Sequence, residues 1–135
     1  MIKIICGPKG TGKTKILIDE ANSKVSVAKG HLIFITNTKR YMYSVHREIR
    51  FIDTSDFMVA GEEALIGFIK GVVAANHDNE YLFIDGAARI AGKEIKDMAA
   101  FYYVLERVAE QNGLIVYITV SSSKEDLPDF IAKYL

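Results

Sequence analysis

The run Gly7-Pro8-Lys9-Gly10-Thr11-Gly12-Lys13-Thr14 fits G-x-x-x-x-G-K-[ST], a spacing that lets a backbone wrap around a polyphosphate. Gly7, Gly10 and Gly12 permit backbone angles closed to other residues and keep Cβ atoms out of a ligand's way. Successive N–H groups can then point inward and make a concave anion site. A helix starting near Lys13 would add unpaired N–H groups and the positive end of its dipole. Lys13 would bring a full positive charge to the β and γ phosphates of a bound nucleotide, and Thr14 would set its hydroxyl on Mg²⁺. Pro8, Lys9 and Thr11 complete the binding loop, chiefly by giving it shape.

The second acidic element is Tyr81-Leu82-Phe83-Ile84-Asp85, four apolar residues ending in a carboxylate that can reach a metal beside Thr14. Lys13 and Asp85 are therefore the residues expected to carry any chemistry. The next residue is Gly86, so no second carboxylate follows to polarise a water. Asp53, at the end of another apolar run, is a substitute acid, although turn chemistry explains it too. Arg40 and Arg89 fall in predicted loops on the ligand side and can neutralise phosphate charge. Tyr41 and Tyr43 are candidates to stack on a base, and Thr119 and Ser121 stand where a polar sensor of the terminal phosphate would. Cys6 ends an apolar strand and reads as a small packed residue. His31, His46 and His77 do not cluster and show no metal spacing. Guanine specificity is disfavoured: Asn37-Thr38-Lys39-Arg40 is not Asn-Lys-x-Asp, and Asp85-Gly86-Ala87-Ala88 is not D-x-x-G. ATP is expected by elimination.

These residues need elements to hold them. Ile2–Cys6, Leu32–Thr36, Phe51–Asp53, Tyr81–Asp85 and Leu114–Val120 read as strands. Helical periods lie between them, over Lys13 to about Lys29, Glu62 to Ala75, and Ile95 to about Asn112-Gly113. A short helix is expected in Arg40–Ile49 and a last one from Ser123 to Leu135, while Gly86–Gly92 reads as loop or partial helix. Near-continuous apolar strands separated by helices imply a mostly parallel sheet of about five strands with helices on both faces, a three-layer α/β fold. Ligands of such sheets bind at the carboxyl ends of the strands. The phosphate loop, Asn37–Arg40, Asp53–Ser55, Asp85–Gly92 and Ser121–Lys124 all fall there.

The 135 residues suit one domain, and a half-hydrophobic composition supplies a core without disulfides or a structural metal. Lys plus Arg and Asp plus Glu number 17 each. A zero net charge argues against a protein that grips nucleic-acid backbone. One cysteine and no CxxC pair fit a reducing cytoplasm, and no apolar run is long enough for a membrane span.

Through Gly7–Thr14 and Tyr81–Asp85 the chain resembles the P-loop NTPase superfamily, in which the loop is the Walker A element and the strand-end Asp the Walker B element. More narrowly it looks like short single-domain Firmicutes P-loop proteins often labelled ATP-binding or twitching-motility proteins. The residues behind that likeness are Ile4–Thr14, Arg40–Tyr43, Glu48–Ile52 and Phe83–Gly86. A more distant likeness is to thymidine kinases, through Gly7-Pro8, Thr38–Tyr41 and Ile84-Asp85. The resemblance implies ATP and Mg²⁺ as ligands, with the metal held by Thr14 and Asp85. Because Gly86 stands where many relatives have Glu, it implies a weak or partner-dependent ATPase with a regulatory or coupling role. A homo-oligomer or a protein partner would then supply an arginine. A small-molecule kinase, with an acceptor near Asn37–Arg40 and Asp53, and a non-enzymatic module stabilised by its nucleotide are the alternatives.

Overall fold

The computed structural model describes Met1–Leu135. Five strands, β1 (Ile2–Gly7), β2 (His31–Thr36), β3 (Ile49–Asp53), β4 (Asn79–Ile84) and β5 (Ile115–Ser121), form one sheet in the order β1-β5-β4-β2-β3. Every pairing is parallel, so the expected "mostly" parallel sheet is wholly so. The helices are α1 (Lys13–Lys24), α2 (Glu62–Ala74), α3 (Ala87–Ala91), α4 (Ala99–Asn112) and α5 (Asp129–Ala132).

Strand sequence follows strand position. The inner strands carry unbroken apolar runs, Leu32–Ile35, Tyr81–Ile84 and Val116–Ile118, because both of their faces are covered. The outer strands β1 and β3 each place a charged side chain, Lys3 and Arg50, in solvent. The chain steps outward from β1 to β2 and β3, then returns through β4 to β5. Parallel crossovers are right-handed, so outward and return connections lie on opposite faces. One face accordingly packs Leu17, Ile18 and Ala21 of α1 against Phe34, Phe83 and Tyr117. The other packs α2, α3, α4 and α5 against Ile33, Ile35, Leu82, Ile84, Val116 and Ile118.

The two faces also differ in chemistry. Phe51, Phe34, Phe83 and Tyr117 form a row of stacked rings across four strands, with successive centroids 5.7, 6.4 and 5.3 Å apart. One 12-residue helix cannot cover five strands, and broad rings fill the width it leaves. On the opposite face the sheet residues under α2, α3, α4 and α5 are aliphatic.

Four expectations need correction. The helix in Arg40–Ile49 is only a 3₁₀ turn at Met42–Ser44, and Ile49 already belongs to β3. Asn22 of α1 clamps this segment: its Nδ2 donates to the Ser44 carbonyl (2.9 Å) and its Oδ1 accepts from the His46 N–H (2.8 Å). Those bonds replace helical ones and hold Val45 extended in the core. Helix α1 stops at Lys24 rather than Lys29: the Val25 and Val27 N–H groups tighten onto the Asn22 and Lys24 carbonyls (3.3 and 3.1 Å), and the Glu80 carboxylate then captures the N–H groups of Lys29 and Gly30 (2.6 and 2.8 Å) and turns the chain into β2. Helix α4 begins at Ala99, after a 3₁₀ turn at Ile95–Asp97. The last helix is split: Ser123 Oγ bonds Asp126 (2.9 Å) over a 3₁₀ turn, Pro128 interrupts, and α5 spans four residues.

Candidate functional site

Strand β1 delivers the chain into the loop at Gly7, and Gly12 passes it to α1. Gly10 and Gly12 have φ of 84° and 82°, in the left-handed region that a side chain disfavours. At Gly7 the constraint is space, since an added Cβ would lie 2.7 Å from Thr11 Oγ1. Thr11 braces the loop from within by donating to the Pro8 carbonyl (2.6 Å).

Lys13 Nζ donates to the same carbonyl (3.1 Å) and has no carboxylate partner. Its charge is thus held over the loop by a neutral group. One position on, Thr14 Oγ1 faces both oxygens of Asp85, at 3.3 and 3.2 Å. Those separations are long for a hydroxyl–carboxylate bond, normally about 2.5–3.0 Å. Asp85 is buried, and its firm partner is Thr119 Oγ1, which donates at 2.9 Å and accepts from the Gly86 N–H at 3.3 Å. Thr119 reaches Asp85 because β5 lies between β1 and β4.

A cavity of about 520 Å³ opens over this group. Lys9, Lys13, Lys15, Arg40 and Arg89 line it, and Asp85 is its one acidic lining residue. Lys15 is paired with Asp19, leaving four cations with no acidic partner in a chain of zero net charge. Arg40 lies over the Tyr41 ring (5.3 Å to the centroid) and Arg89 Nε donates to Asn37 Oδ1 (3.0 Å). The cavity also reaches Ile95 and the buried Tyr102, which sequence reasoning passed over as ordinary helix-face residues. The Asn37–Arg89 bond was equally invisible, because it joins residues 52 apart that only the sheet order brings together.

The arrangement suits a hard dication shared with a polyphosphate. Mg²⁺ takes one or two protein oxygens and completes its shell with water and phosphate. The loosely apposed Thr14 hydroxyl and buried Asp85 carboxylate offer such a pair. No cluster of three or more His, Cys, Asp or Glu exists for an all-protein cage.

The remaining candidates divide between the cavity and the rest of the molecule. Tyr43 is 94 % exposed and lies outside the cavity, whereas Tyr41 lines it. Ser121 lines the cavity beside Val120, and Cys6 is a half-buried free thiol. Asp53 is a closed structural group: it accepts from the N–H and hydroxyl of Ser55 (3.0 and 2.7 Å) and pairs with Lys39 (3.0 Å), which also binds Asp56. Burial pushes the Asp53 carboxyl up, but the Ser55 hydroxyl, Lys39 ammonium and Ser55 N–H together hold it below its usual range. A second cavity, about 610 Å³, opens between the β3 edge and α2; Asp53 and Asp56 line it, with Arg50 as its one cation.

Sequence comparison adds little, since no protein-family model and no curated protein matches the chain. Among solved structures, that of C. elegans PCH-2 is similar, with a TM-score of 0.58 at 14% identity over 98% of this chain. The fold is P-loop-like. The matched region is 33% of the PCH-2 chain, so this chain spans about a third of that protein's length. At such identity the likeness concerns architecture alone. No helix is long and apolar enough to cross a membrane.

Proposed function

We propose that this chain binds a nucleoside triphosphate, ATP with Mg²⁺, and turns it over slowly or only with help from another molecule. The observation that carries the reading is the pairing of Thr14 with Asp85 beside an acid-free Lys13, at the mouth of a cavity rich in unpaired cations. The P-loop-like fold supports it.

Each residue has a part in this proposal. The N–H groups of Gly7–Thr14 and the first turn of α1 take the inner phosphates. Lys13 exchanges its bond to the Pro8 carbonyl for phosphate oxygens, a trade of a neutral acceptor for an anionic one. Thr14 and Asp85 would hold the metal, which would offset part of the triphosphate charge. Thr119 fixes the Asp85 carboxylate in orientation.

Low turnover follows from what the lining lacks. Hydrolysis needs a group that orients or deprotonates water. Asp85 is committed to Thr119 and the metal position, no other acid lines the cavity, and Asp53 at the end of β3 is consumed by Lys39 and Ser55. This supports the coupling or regulatory role over the kinase alternative, whose acceptor site would need Lys39 and Asp53 free. Titration calorimetry with Mg²⁺ and ATP tests the proposal: micromolar binding is expected for the wild type, and no heat with either ATP or its non-hydrolysable analogue would refute it. Phosphate release by the purified chain should stay slow; rapid release without a partner would refute the second half.

A further inference from the structure

Gly86 occupies the position where a carboxylate would serve hydrolysis, and its backbone lies in the left-handed region that side chains disfavour. Its φ is 79°, and the Arg89 guanidinium lies across it: an added Cβ would come within 2.7 Å of Arg89 Cζ and closer still to Nη2. Gly86 and Arg89 lie one turn apart at the start of α3, with the Ile90 N–H bonded to the Gly86 carbonyl (2.9 Å). The guanidinium therefore fills the space above residue 86 that any side chain there would claim.

Its orientation is also set. Nε donates to Asn37 Oδ1 at 3.0 Å, and no carboxylate pairs with either Nη. Arg89 is exposed and lines the same cavity as Lys13, Thr14 and Asp85. An arginine anchored through Nε presents its two terminal nitrogens as a fork, the geometry that matches two oxygens of one phosphate. The loop amides and Lys13 take the phosphates nearest α1. Whatever extends beyond them toward the end of β4 meets Asp85, Gly86 and then this fork.

We infer that Arg89 is the terminal-phosphate ligand of this site, supplied by the chain itself, with Gly86 making room for it and Asn37 as its positioning residue. The inference rests on the nucleotide reading above. It assigns to this chain the cation expected from a partner, so that what a partner would have to bring is a water-orienting group and not an arginine. It also means that the site tells a tri- from a diphosphate through this positive group.

The test is the ratio of Mg²⁺–ATP to Mg²⁺–ADP affinity, measured by calorimetry on the intact chain. Arg89→Ala should weaken ATP about 10- to 100-fold, the usual worth of a charge-assisted pair, and leave ADP within about twofold. Arg89→Lys keeps the charge without the fork or the Asn37 bond and should recover only part of the ratio. Asn37→Ala should lower ATP affinity by a few-fold and spare ADP. Gly86→Ala should reproduce part of the Arg89→Ala effect, because its methyl displaces the guanidinium. A wild type that prefers ATP and an Arg89→Ala variant that keeps the same ratio would overturn the inference and leave the nucleotide reading intact. Arg89→Lys equal to wild type would overturn the fork, since long-range charge would then suffice. A wild type that binds neither nucleotide would remove both.

Discussion

Two charged groups sit at the carboxyl edge of the same sheet and are built on opposite plans. At the end of β3, Lys39 is shared between Asp53 and Asp56, and Ser55 caps the Asp53 carboxylate with both its N–H and its hydroxyl. Every charge there has a partner from the chain. At the ends of β1 and β4, Lys9, Lys13, Arg40 and Arg89 meet a single carboxylate, and Lys13 rests on a carbonyl. Both regions contain a lysine, an aspartate and a hydroxyl, so residue type does not separate them. The state of satisfaction does: charge neutralised from within contributes to folding, and the open charge is what the proposed ligand would use.

The sharpest way to break that contrast is to remove the open charge. Lys13→Ala should cut Mg²⁺–ATP affinity by about 100-fold or more, since a charge shared by two phosphates is lost. Its melting temperature should stay within about 2 °C of wild type, because Lys13 bonds only its own loop. A large melting shift in this variant would make Lys13 structural and erase the distinction.

Asp85→Asn comes next. The amide keeps an oxygen for Thr119 but loses the charge that draws the metal, so the gain in ATP affinity on adding Mg²⁺ should fall by about tenfold. Titrating Mg²⁺ at fixed nucleotide measures it, and an unchanged Mg²⁺ response would remove Asp85 from the metal site.

The closed end should behave in reverse. Asp53→Ala leaves the Ser55 donors unpaired and Lys39 with Asp56 alone, and should cost about 1–3 kcal/mol, a fall of roughly 5–10 °C at this size, with ATP affinity within about twofold. Loss of nucleotide binding without loss of stability would mean that Asp53 belongs to the ligand site after all.

The smallest effect concerns acid. The Asp53 carboxyl is held below its ordinary value, so it binds fewer protons folded than unfolded. Its contribution is present above the unfolded value, about pH 4, and is lost as pH falls through the depressed folded one. Wild-type stability should therefore decline more steeply than that of Asp53→Asn between about pH 5 and pH 2, as read by urea melts at each pH. Parallel curves would show that Lys39 and Ser55 do not hold the carboxylate.

Much of this was legible in the chain. Local chemistry announces itself locally: three glycines, a lysine and a threonine at fixed spacing can make an anion nest wherever they lie between a strand and a helix. The five strands were legible for a related reason, because burial on both faces demands unbroken apolar runs. The element between β2 and β3 was not, since the period of Tyr41, Val45 and Ile49 suits a helix and only Asn22, about twenty residues earlier, overrides it.

Sequence alone determined the loop, the parallel α/β class, the Thr14 and Asp85 candidates and the missing acid at residue 86. Tertiary structure decided which charges are free. Thr119 could serve Asp85 only once β5 was inserted between β1 and β4, and Arg89 could meet Asn37 only once β2 lay beside β4. The reason is one of range: backbone angles and periodicity act over a few residues and leave a record in neighbouring letters. Pairing of charge acts through space, and the letters do not record which distant groups the sheet will bring within 3 Å.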